Sequence, residues 1–148
     1  VRTTPLLRRG VATMLSAVEG VDGAAVAAGL LDGDVRTAVR PDGAAQTQCV
    51  VLLCASPEAA TAYVEASLAY QRARDAAAHA ESVYEGGGEG WTGLKSFATP
   101  AGPAHAVIRC AARGTRVVEV TSVRPGAPPE DAARRVVDAV DAALDAGR

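Results

Sequence analysis

Residues 104–124 constrain this chain more than any other stretch. Two strand-forming runs, residues 104–112 and 116–121, flank Arg113-Gly114-Thr115. A glycine between alternating apolar runs is a strong local signal for a β-hairpin. On the first run Ala106, Ile108, Cys110 and Ala112 share one face, and His105, Val107, Arg109 and Arg113 share the other. A three-residue loop with Gly114 in the left-handed conformation opposes Ala112 to Arg116. That register pairs Cys110 with Val118, Ile108 with Val120 and Arg109 with Glu119. Apolar side chains then meet on one face and opposite charges on the other, so this is the register the pattern predicts. A two-residue loop would set core positions against surface positions.

The rest of the chain reads around this hairpin. Thr4 as N-cap and Pro5 in the first turn begin a helix whose apolar residues run through Leu6, Leu7, Val11, Met14, Leu15 and Val18, with Gly20 as its stop. Residues 20–34 read as a loop with a short helical turn at 26–31. A strand at 35–40 and the turn Pro41-Asp42-Gly43 lead into Thr47-Gln48-Cys49-Val50-Val51-Leu52-Leu53-Cys54, the most apolar run and a strand buried on both faces. Ser56-Pro57-Glu58 opens a long helix expected to reach Val83, with Tyr63, Ala66, Tyr70, Ala73, Ala77 and Ala80 on its inner stripe. Gly86 to Gly90 then act as a flexible connector, and residues 91–97 form a strand ended by Pro100-Ala101-Gly102-Pro103. A final helix carries Ala133, Val137, Val140 and Leu144 inward, with Gly147 at its end. The expectation is one α+β domain spanning residues 1–148: a single antiparallel sheet of about five strands with helices packed on one face.

Composition limits the function classes. The hydrophobic fraction is 49 %, but much of it is alanine, and aromatics make up 3 %. The core therefore rests on Val, Leu and Ile. A net charge of -2 argues against a nucleic-acid partner, and Arg8-Arg9 and Arg134-Arg135 read as solvated helix faces. No apolar run approaches the roughly 18 residues of a membrane span. The chain opens on Val1 without an initiator Met or an apolar leader, so a processed or truncated form is expected.

No catalytic, metal-binding or nucleotide-binding motif stands out, and neither a catalytic residue nor a cofactor is expected. Gly86 to Gly90 lack the Lys-Ser/Thr of a phosphate loop, and the cysteine spacings match no zinc site. Cys49 and Cys110 both read as inward, and a bridge between them is preferred; three buried free thiols are the alternative. His79 and His105 are candidate general bases that read more simply as structural. The candidate binding residues are Tyr63, Tyr70, Trp91 and His105: two tyrosines on the helix stripe, a tryptophan beside the glycine run, and a histidine at the head of a strand.

The Gly-rich stretch and Trp91, then Ala104-His105-Ala106-Val107-Ile108-Arg109-Cys110, then Arg113-Gly114-Thr115-Arg116-Val117-Val118-Glu119-Val120, then a Pro/Gly turn and an Ala-rich closing helix resemble actinobacterial secreted lipoprotein and extracellular kinase-sensor domains. The resemblance covers about residues 45–145 and is one of element order. It implies a non-catalytic, extracytoplasmic binding or sensor domain, with any membrane anchor placed before Val1. The ligand would be a small apolar molecule or a protein partner. Reduced cysteines would instead favour the cytoplasm. Two other readings stay open: a small cytosolic enzyme of cyclase or isomerase type working in an apolar cavity, and an assembly subunit using a sheet face at Val107, Val117 and Thr121.

Overall fold

A computed structural model describes residues 2–6, 8–41, 43–78 and 80–146; Val1, Leu7, Asp42, His79 and Gly147, named above, lie outside them. Along the chain run β1 (Arg2–Pro5), α1 (Arg8–Ser16), α2 (Gly23–Ala28), β2 (Leu30–Val39), β3 (Gln46–Cys54), α3 (Pro57–Ala78), β4 (Glu81–Gly87), β5 (Gly90–Thr99), β6 (Gly102–Arg113), β7 (Arg116–Pro125) and α4 (Ala132–Ala146). The strands make one sheet in the order β1-β2-β3-β7-β6-β5-β4, antiparallel at every pairing. Among the described residues no helix is long and apolar enough to cross a membrane.

The expected α+β class and single antiparallel sheet hold, with two corrections. The sheet has seven strands rather than about five. Residues 2–5 form an edge strand on β2, Thr3 opposite Arg36, instead of starting the first helix; a local N-cap pattern loses here to a non-local pairing partner. The long helix ends at Ala78, and residues 81–87 become β4, so the glycine run closes a hairpin in which Gly87 opposes Gly90. The second correction is that helices cover both faces. Val50, Leu52, Cys54, Ile108, Cys110 and Val117 pack with α1 and α3, whereas Ala111, Val118, Cys49, Val51 and Val120 pack with Val140 and Leu144 of α4. Burying each of the larger aliphatic side chains stabilises the fold by roughly 1.5–3 kcal/mol. Val107 and Val117 are 2 % and 0 % exposed, so they do not form the open sheet face proposed for an assembly subunit.

Coverage on both faces also explains the hairpin register. The loop is the two-residue Gly114-Thr115, with Arg113 opposite Arg116, Ala112 opposite Val117, Cys110 opposite Glu119 and Arg109 opposite Val120. Gly114 takes φ +60°, as the favoured two-residue hairpin turns demand of one or both central residues. Matching core with core could not fix the register, because both faces of β6 and β7 are core. Arg109 and Glu119 therefore lie on opposite faces and do not pair. Cys49 and Cys110 are also separated: β7 runs between their strands, Cys49 packs toward α4 and Cys110 toward α3. Cys49, Cys54 and Cys110 are all free thiols, so the expected bridge is absent; of the alternative of three buried thiols, Cys54 and Cys110 are buried and Cys49 is half-buried.

Candidate functional site

The site is built by a change of character along α3. Ser56 caps the helix, its hydroxyl oxygen accepting the Ala59 N–H at 3.1 Å. The first turns present Ala60, Tyr63 and Val64 to the sheet, all buried. One turn later the same side carries Ser67, then Gln71 and Asp75, at four-residue spacing. Ala73 and Ala77, expected on this stripe, are exposed. Where polar side chains replace apolar ones the helix no longer seals against the sheet. A cavity of about 500 Å³ opens there, floored by Ile108, Glu119 and Thr121 and flanked by Tyr70, Phe97 and Val123.

Two hydrogen-bonded clusters line it. In the first, the Ser67 hydroxyl donates to Glu119 Oε2 at 2.5 Å. Burial raises the Glu119 carboxyl above its ordinary value, and hydrogen bonds from Ser67 and from Cys110, directly opposite on β6, offset only part of the rise. Burial also pushes the Cys110 thiol well up, with the Glu119 charge adding to it, and does the same to the Tyr63 phenol beneath. In the second cluster Lys95 Nζ lies 2.7 Å from Asp75 Oδ1 and donates to Gln71 Oε1 at 2.7 Å, while the Tyr84 hydroxyl donates to Asp75 Oδ2. Burial alone would raise the Asp75 carboxyl; the bonds from Lys95 and Tyr84 and the Lys95 charge outweigh it and hold Asp75 below the usual value. The Tyr84 phenol is driven far up, first by burial and then by Asp75. Its ring lies over Gly93, where a Cβ would come within 2.5 Å of the ring, and meets Trp91 edge-on at 5.7 Å.

Of the four binding residues expected from sequence, Tyr70 alone lines this cavity. Tyr63 and Trp91 are core, 3 % and 0 % exposed, and Trp91 Nε1 donates to the Val64 carbonyl at 2.9 Å, tying β5 to α3. His105 lies on the other face of the sheet in a separate cavity beneath α4, its Nδ1–H donating to the Gly126 carbonyl at 2.9 Å. Ser67, Gln71, Asp75, Lys95 and Glu119 were not anticipated. For Ser67, Gln71 and Asp75 a signal was present in α3, as a polar i, i+4, i+8 series on a helix side that begins apolar. Among the described residues no group of His, Cys, Asp and Glu comes together as a metal site.

No family model and no curated protein matches the chain. Among solved structures it is similar to the extracellular domain of PknH from Mycobacterium tuberculosis, with a TM-score of 0.56 and 12 % sequence identity over 97 % of this chain and 78 % of that one. At that identity the likeness is one of fold: the chain shares the architecture of an extracellular domain.

Proposed function

We propose that this chain is a non-catalytic, extracytoplasmic binding or sensor domain that takes a small ligand between α3 and the sheet. The observation that carries the reading is the cavity itself: about 500 Å³, lined by Tyr70, Phe97, Ile108 and Val123, with Glu119, Gln71 and Lys95 as directional polar groups. Cavities of this size with mainly apolar walls and a few fixed polar groups are the usual form of small-molecule sites. A molecule with an apolar body and a hydroxyl or amine would bury the former and donate to Glu119 with the latter. The likeness in fold to an extracellular domain supports the location. Free thiols are compatible with it, because burial raises Cys49, Cys54 and Cys110 and leaves each a poor thiolate.

Fragment screening by amide chemical-shift mapping tests the reading. Fragments pairing an apolar ring with a hydroxyl or amine should move the amides of Ser67, Gln71, Ile108 and Glu119. At a pH above the raised Glu119 value, replacing Glu119 by Gln should weaken those fragments about tenfold, since a charge-assisted hydrogen bond becomes a neutral one. Fragments that bind only elsewhere, or bind Glu119→Gln equally well, would overturn it.

A further inference from the structure

We infer a second binding site, on the opposite face of the sheet, for an amphiphilic organic anion: a carboxylate carried on a short apolar chain. A cavity of about 580 Å³ lies between the sheet and the first half of α4. Its apolar surface comes from Val107 and Val120 on the strands and Val136 and Ala139 on the helix. Among the described residues the charged side chains lining it are Arg40, Arg124 and Arg135, with no Asp or Glu, although the chain as a whole has net charge -2. The cavity beside α3, by contrast, is balanced, with Arg74 and Lys95 against Asp75 and Glu119. The basic character beneath α4 is therefore local.

Arg124 is the anchor. Its guanidinium is held across β3 by bonds to the Gln46 carbonyl at 3.1 Å, the Val123 carbonyl at 2.8 Å and Thr47 Oγ1 at 3.0 Å. These partners are neutral, and among the described residues no carboxylate pairs with it. Arg135, by contrast, is tied to Asp131 at 2.7 Å. Among the described residues this guanidinium, exposed at the edge of the apolar cavity, meets no counter-charge, and its Nε–H and second Nη2–H, which none of these bonds uses, are left to take a carboxylate. His105 adds a second polar group: its Nδ1 is occupied by Gly126, and its Nε2 makes no hydrogen bond among the described residues.

The test is calorimetry and amide shift mapping with sodium decanoate, against decanol as the neutral isostere and inorganic phosphate as the bare anion. Decanoate should bind with shifts at Val107, Val120 and Val136. Decanol and the Arg124→Gln variant should each weaken binding about tenfold or more, and Val136→Trp, at a half-buried helix position, should abolish it by filling the space. Phosphate alone should not displace decanoate. Decanol binding as tightly as decanoate, Arg124→Gln having no effect, or phosphate displacing decanoate would each overturn the proposal. Shifts confined to Ser67, Gln71 and Glu119 would overturn it too, while leaving the α3 cavity as a site in its own right.

Discussion

Two carboxyl groups in the α3 cavity respond to pH in opposite senses. Glu119 is raised in the folded protein, so between the ordinary value and the raised one the folded state holds a proton that the unfolded chain has released. Its stabilisation is full below the ordinary glutamate value of 4.5 and is lost as pH rises through the raised one. Glu119→Gln should therefore match or exceed the parent at pH 7, by about 1 kcal/mol, and lose that advantage near pH 4; urea midpoints at the two pH values check this. Asp75 is depressed, so its contribution is present above 3.8 and lost as pH falls through the lowered value. Asp75→Ala strands Lys95, whose side chain is 12 % exposed, and should cost about 3 kcal/mol at pH 7. The thiols give a third expectation. Unreduced protein should keep the same mass after reductant, and Cys54 and Cys110 should resist a thiol reagent until denaturant is added. A bridged mass would refute the arrangement of β3 and β6.

The hairpin β4–β5 depends on a missing side chain. The Tyr84 ring occupies the space above Gly93 that a Cβ would need. Gly93→Ala should displace the ring, break the Tyr84–Asp75 bond and cost about 1–3 kcal/mol, measurable by thermal unfolding. Elements like this one show which parts of the fold a reader of the residues can reach. The Ser56 cap, the apolar run of β3 and the Val140–Leu144 stripe of α4 announce themselves, because each depends on neighbours within a few positions. By contrast β1 exists only because β2 offers an open edge, and β4 because Tyr84 finds Trp91 and Asp75. The β6–β7 register turned on whether a helix lay on the second face, which alternation along two strands does not reveal. The site was hidden for a related reason. Ser67, Gln71 and Asp75 are unremarkable on a helix until the face they share is known to point at a sheet.

At the scale of the molecule the sheet is a partition. α1, α2 and α3 enclose one chamber and α4 the other, and the two cavities sit back to back across β6 and β7. Ile108 and Glu119 face one of them, Val107 and Val120 the other, from the same two strands. Removing α4 should expose Ala111 and Val118, 3 % and 1 % exposed as they stand, and leave a chain that binds a hydrophobic dye and unfolds without a sharp transition. A truncated chain that still unfolds cooperatively would show that α4 is an appendage, not half of the core.

The change along α3 from Ala60, Tyr63 and Val64 to Ser67, Gln71 and Asp75 also has a kinetic consequence. The early turns are locked by packing, so their amides should exchange with solvent only when the whole protein opens. The later turns are held by a few polar bonds over a void, and their amides should exchange through local openings at much lower cost. One helix would then carry two lifetimes, with the short-lived end forming the wall of the cavity.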